Sequence, residues 1–130
     1  MKPPLETVRL SQRAREILIR LKRKTGIEHW NVLCRWALCQ SLAHGSKPAI
    51  SPSFDSNVEM SWKVLCGPMS EVLPAIVVMR AQRDGVEINN REAVAQYFRH
   101  HLERGILQLN AIKSLVELFR TLSPETIKST

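Results

Sequence analysis

Residues 29–43 limit how this 130-residue chain can fold more than any other segment, because as a helix they are apolar on nearly every side. At 100° per residue, the only polar sector is a narrow one around Asn31 and Arg35. Such a helix must be buried almost all the way round. Since a chain of this length provides only a modest core, we expect a second copy to cover part of the helix.

A basic segment precedes this helix. Residues 1–24 contain eight of the basic side chains and only two acidic ones, so they hold six of the seven net positive charges. Val8 and Leu10 alternate with polar residues in a predicted strand over residues 7–11. Ser11 is a candidate N-cap for a helix over residues 12–24, and Gly26 is its candidate C-cap. One apolar stripe on that helix contains Ala14, Ile17, Leu18 and Leu21.

The rest of the circumference of this helix is basic. We define the basic cluster as Arg13, Arg15, Arg20, Lys22, Arg23 and Lys24. A run of charge is usually a solvated face, but scarce acids and duplication in an oligomer favour contact with DNA phosphates. Arg9 on the strand either reads bases in the major groove or keeps an edge strand soluble. The turn at residues 25–27 either presents helix N–H groups to a phosphate or is an ordinary turn.

The same element order returns in the second half. Residues 57–64 alternate as a strand, residues 70–84 are helical, Gly85 follows, and Asn89 with Glu92 begins a capping-box-like helix. We therefore predict a mainly α, ribbon-helix-helix-like fold with two strand–helix–helix repeats, residues 7–43 and 57–109, in one compact, oligomeric domain over residues 1–112. Residues 113–130 are expected to form a short helical turn and a flexible tail.

The apolar positions also predict where copies of the chain meet. The expected oligomer interface lies on the second helix and in the second repeat, with a homotetramer favoured. Its residues are Trp30, Leu33, Trp36, Ala37, Val77 and Val78.

No pattern of residues indicates catalysis, and we expect no enzyme activity, metal, cofactor or small-molecule substrate. Cys34 and Cys39 lie about 140° apart on a helix, too far round to share a metal, and are expected to be buried, unreactive thiols. His100 and His101 make a poor ligand pair. Neither a membrane span nor a secretory signal is recognisable, so we expect a cytoplasmic protein.

A family resemblance sharpens this interpretation. The segment LIRLKRKTGIEHWNVLCRWALCQSL, residues 18–42, resembles the signature region of the DndE family of bacterial DNA sulfur-modification proteins. The resemblance implies a non-enzymatic accessory subunit of DNA phosphorothioation that binds nicked duplex DNA and works beside the other proteins of the modification system. Two alternatives stay open: a sequence-specific ribbon-helix-helix repressor, and an assembly scaffold without direct DNA contact.

Overall fold

The protein is mainly helical, as predicted. The structure is a computed structural model and describes residues 6–49 and 56–111. The predicted tail at residues 113–130 lies outside the described residues, as do residues 50–55 of the Pro- and Ser-rich segment between the two repeats. The elements in chain order are β1 (Thr7–Arg9), α1 (Gln12–Thr25), α2 (Trp30–Ala43), β2 (Glu59–Ser61), α3 (Trp62–Cys66), a 3₁₀ turn (Gly67–Met69), α4 (Val72–Arg83) and α5 (Arg91–Asn110).

The two strands pair antiparallel within one chain and place Val8 opposite Met60. The second strand is shorter than the alternation of residues 57–64 predicted, because α3 begins at Trp62. The side chain of Ser61 accepts a hydrogen bond from the Val64 amide, and this N-cap starts a helix where the sequence pattern had predicted further strand. One chain therefore supplies both strands of the two-stranded ribbon, β1 and β2, without a strand from a second copy.

The first helix has the two caps and the buried face that the sequence predicted, and it ends one residue later than predicted, at Thr25. Ser11 caps its first turn, its hydroxyl accepting from the Ala14 amide. Gly26 ends it in the left-handed conformation at φ 75°, where a residue without a Cβ is favoured, and donates its amide to the Lys22 carbonyl. The buried face consists of Ala14, Ile17, Leu18 and Leu21.

The chain itself supplies part of the cover that was expected from a second copy around the second helix. Five residues of this helix are buried, whereas Trp30 and Trp36 are half-buried. The helix packs most extensively on α5 and also contacts α1 and α3. Leu33 and Ala37 are 0% exposed in the single chain. The approach to α5 is close because Gly105 faces Ala37: a Cβ placed on Gly105 would lie 1.8 Å from the Ala37 carbonyl oxygen.

The last two helices complete the core. α5 begins one residue later than predicted, because the Asn90 side chain, and not that of Asn89, accepts from the Ala93 amide. Its 20 residues run across α1, α2 and α4. On α4, Val77 is 0% exposed, whereas Val78 is only half-buried.

Arginines hold the carboxyl end of α2. Arg80 donates to the carbonyls of Leu42 and His44, and Arg104 donates to both the carbonyl and the hydroxyl of Ser41 at 2.8 Å. Cations are favoured at this end of a helix, whose last carbonyls lack partners. Ser41 also lies 2.8 Å from Nδ1 of the fully buried His101. Burial and the nearby guanidinium of Arg104 lower the pKa of His101 to about 4.

Substituting Gly105 with Ala should destabilise the protein strongly, because the new methyl group meets the backbone of α2 and the helices must separate. We expect a loss of at least about 2 kcal/mol in the free energy of unfolding, measured by urea denaturation. Gly45→Ala is the matched control, since a Cβ there meets nothing within 4 Å. Equal stability of the two variants would contradict the close packing of α2 on α5.

The protein should lose stability as the pH falls from 6.5 towards 4. In this range the unfolded chain protonates His101, whose ordinary pKa is 6.5, whereas the folded chain keeps it neutral. The loss should reach about 2 kcal/mol. A His101→Gln variant should show a smaller decline between pH 6.5 and 5 in thermal unfolding. An unchanged decline in that variant would assign the effect to other groups.

Candidate nucleic-acid interface

The basic cluster surrounds the buried stripe of α1. At 100° per residue, Arg13, Arg20 and Lys24 lie along one flank of the helix, Arg15 and Lys22 along the other, and Arg23 points between them. All except the half-buried Arg15 are exposed. The first helix therefore presents two cationic edges joined by a cationic outer face.

Most of these cations have no carboxylate partner among the described residues. Within residues 6–49 and 56–111, Arg13, Arg15, Arg20, Lys22 and Arg23 form no ion pair. Lys24 differs, since its Nζ donates a long hydrogen bond of 3.4 Å to the Asn110 carbonyl at the end of α5. The only acidic residue within α1 is Glu16. Within the part of the chain that the structure describes, the charges of these five residues are thus available to an external anion.

Arg9 is placed differently from the cluster. Its Nη2 lies 2.8 Å from Glu59 Oε2 on the paired strand, and its Nη1 donates to the Ser56 carbonyl at 3.3 Å. The two charged side chains are 52% and 42% exposed, so this ion pair contributes little stability. The pair offsets the charge of Arg9 on the outward face of the ribbon, so this side chain adds no net positive charge there for a major-groove contact.

A surface groove lies between α1 and the start of α2. Ile19, Lys22 and Arg23 line it from α1, and Trp30 lines it from α2. Trp30 is half-buried, and part of its ring packs against the core. The sequence analysis placed Trp30 in an oligomer interface, and that assignment stays a prediction; within the single chain, two cations flank the ring.

The turn between these helices has an open amino end. His29 is the N-cap of α2 and makes no side-chain capping hydrogen bond, and no acidic residue lies in the first turn. Thr25 closes the preceding turn, donating its hydroxyl to the Leu21 carbonyl at 2.7 Å and accepting from the Ile27 amide. Whether this end of α2 holds a phosphate stays a prediction.

The predicted oligomer interface is only partly at the surface. Leu33, Ala37 and Val77 are completely buried inside one chain, so they have no surface to offer a second copy. Trp30, Trp36 and Val78 keep some exposure. Two exposed apolar residues of α4 were not among the predicted interface residues: Val72 and Met79, which are 53% and 70% exposed. Their spacing of seven residues, with apolar Ile76 between them, is the signal that could have identified this face.

Comparison with known proteins decides the family. The model of the family described as DNA sulphur modification protein DndE matches residues 7–117. The chain belongs to the DndE family. The crystal structure of DndE from Escherichia coli B7A, involved in DNA phosphorothioation modification, has a TM-score of 0.67 and 21% identity over 81% of this chain and 96% of that chain.

A second crystal structure, of a DndE mutant involved in DNA phosphorothioation, has a TM-score of 0.63 and 18% identity over the same shares of the two chains. At these identities the structural likeness establishes the fold alone. The curated proteins include no match.

In this DndE family member Cys34 and Cys66 are buried, as predicted, whereas Cys39 is only half-buried. Burial raises the pKa of Cys34 and of Cys66 to about 12, and it also raises the pKa of the half-buried Cys39. Thiols in this state are poor nucleophiles. The Ser41–His101 pair is likewise closed to a substrate, because both side chains are 0% exposed.

No metal site is evident among the described residues: they contain no group of three or more His, Cys, Asp or Glu side chains able to hold an ion. Nor is any single helix of residues 6–49 and 56–111 long and apolar enough to cross a membrane. The segment Trp62–Met69 and α4 reach the length and apolar composition of a span only when taken together, and the chain bends by 100° between them.

Proposed function

We propose that this protein is a non-enzymatic DNA-binding subunit of the cytoplasmic DNA phosphorothioation machinery. The observation that carries the proposal is the basic cluster, whose cations are concentrated on one helix and mostly lack carboxylate partners among residues 6–49 and 56–111. Each phosphate that such cations neutralise releases condensed counterions, which drives binding with little dependence on sequence. Membership of the DndE family supports the choice of DNA as the polyanion.

Nicked duplex is the DNA that fits this surface best. The two flanks of α1 face different directions, with Arg13 and Arg20 on one and Lys22 on the other. An intact duplex resists bending, whereas a nick removes backbone continuity from one strand and lowers the cost of a bend. The two arms of a nicked duplex can then contact both flanks.

A sequence-specific repressor is a weaker alternative. Such a protein would insert the outward face of its ribbon into the major groove. Here that face carries Arg9 paired with Glu59, which leaves it without net positive charge. A scaffold that uses the basic cluster to bind an acidic protein of the sulfur-modification system remains the second alternative, and the DNA-binding experiment below separates it from ours.

Self-association is also part of the proposal, with α4 in place of α2 as its surface. Val72, Ala75, Ile76 and Met79 recur at helical spacing on the outward side of α4, and Val72 and Met79 are more than half exposed. A continuous apolar stripe of this kind is typical of a protein–protein contact. Val78 is half-buried and lies beside this stripe. Among the interface residues predicted from the sequence, it is the one that fits the α4 surface.

The double variant Arg13→Ala/Arg20→Ala should weaken DNA binding, because it removes two cations from one flank of α1. We expect the log–log salt slope of the affinity for nicked duplex to fall by about 2, measured by fluorescence anisotropy. The matched control Lys47→Ala/Lys63→Ala removes the same charge from exposed positions outside α1. Equal effects of the two variants would mean that net charge alone attracts DNA, and no binding by the native protein would favour the scaffold.

Met79→Glu should lower the oligomer size, because it places a charge in the apolar stripe of α4. Light scattering should report a smaller mass at equal protein concentration, with unchanged helix content. The control Gln82→Glu adds the same charge to the same helix at a position that is already polar and exposed. An unchanged mass for Met79→Glu would place the interface elsewhere.

A further inference from the structure

The groove between α1 and α2 has the composition of a nucleotide site. We propose that it binds one unpaired nucleotide of DNA, with the base stacked on the indole of Trp30 and the adjacent phosphate held by Lys22 and Arg23. This inference rests on the DNA-binding function proposed above. It adds which part of the DNA is recognised and gives the protein a means of distinguishing interrupted duplex from intact duplex.

The lining residues carry the argument. Ile19 and Trp30 provide apolar and aromatic surface, Lys22 and Arg23 provide two exposed cations, and the lining contains no acid. A planar ring beside a negative charge complements that set. Proteins that bind single-stranded nucleic acid combine aromatic platforms with cations in this way. The two cations have no ion-pair partner within the described residues, so they are available to a phosphate.

Trp30 is the tryptophan suited to this role. One side of its ring is fixed against the core, which holds the indole in place at the first residue of α2. Trp62, in contrast, is 5% exposed and contacts Phe98 with ring centroids 4.8 Å apart. Trp36 lies about 120° away from Trp30 around α2 and so faces another direction. A rigid, half-exposed ring loses little conformational freedom when a base stacks on it.

The occupant is a nucleotide within a strand and not a free nucleotide, because the cationic surface continues beyond the groove. From Lys22 and Arg23 it extends along α1 towards Arg13 and Arg20, where further phosphates of the same DNA can bind. A base inside an intact duplex is stacked and paired and must be extruded at a cost before it can enter. A base at a gap or a strand end has already lost part of its stacking or pairing, so moving it into the groove costs less free energy.

The first test uses the fluorescence of Trp30 itself. In a Trp36→Phe variant, Trp30 is the remaining indole with solvent-accessible surface, since Trp62 is buried. Titration with a short oligothymidylate should quench its emission, because stacking with a base quenches indole fluorescence. Thymidine monophosphate at the same nucleotide concentration should quench far less, since it lacks the further phosphates. Binding of oligothymidylate with unchanged emission would overturn the proposal.

The second test compares Trp30→Leu, which keeps apolar volume, with Trp30→Phe, which keeps an aromatic ring. Each is titrated with a duplex that contains a short single-stranded gap and with the same duplex intact. We expect Trp30→Leu to lose about tenfold in affinity for the gapped duplex, Trp30→Phe to keep most of it, and neither to change the affinity for the intact duplex. Their salt slopes should match that of the native protein, since no charge is removed.

The outcomes separate this inference from the function on which it rests. If the native protein binds both DNAs and Trp30→Leu binds the gapped duplex as well as the native protein does, the groove does not hold a base, and backbone binding stands. If the native protein binds neither DNA at low salt, both proposals fail. Thermal unfolding of Trp30→Leu shows whether this variant is folded. The quenching experiment tests the groove independently, because it does not use the Trp30→Leu variant.

Discussion

The close packing of α2 on α5 is the contact on which the rest of the structure depends. Because Gly105 has no side chain, the Ala37 backbone can approach α5, and one face of the most apolar helix is buried within the chain. This places α1 against the other side of the same pair, with its apolar stripe inward. The basic cluster then has no position except the outer surface. The exposure of the cations is thus a consequence of how the core is filled.

Charge distribution turns that exposed surface into a functional one. The chain provides few acids near α1, and Arg9, a basic residue predicted to bind DNA that lies outside the cluster, has its carboxylate partner on the neighbouring strand. Two arginines of the second half, Arg80 and Arg104, have a structural role, since they hold the backbone at the end of α2. These basic residues of the two halves therefore have different roles. Arg80 and Arg104 hold the end of α2, whereas the arginines of α1 form no ion pair within the described residues and are available to an anion.

Much of the fold was predictable from local signals. Ser11 and Gly26 fixed the ends of α1, and the helical periodicity of residues 12–24 identified both its buried and its basic faces. The strand at residues 57–64 was predicted too long, because alternation cannot reveal that Ser61 caps a helix. The covering of α2 could not be predicted either. It depends on a contact between Gly105 and Ala37, 68 positions apart in the sequence, and no periodic pattern within one helix records which other helix packs on it. For the same reason the groove at Trp30 became recognisable only when α1 and α2 were placed side by side.

Lysine footprinting tests the central claim, that DNA is bound by α1, most directly. The native protein is acetylated with and without nicked duplex, and the modified lysines are quantified by mass spectrometry. The account predicts that DNA protects Lys22 and Lys24, while the exposed Lys47 and Lys63, which lie outside α1, stay equally reactive. Protection of Lys47 and Lys63 with Lys22 and Lys24 unprotected would contradict it.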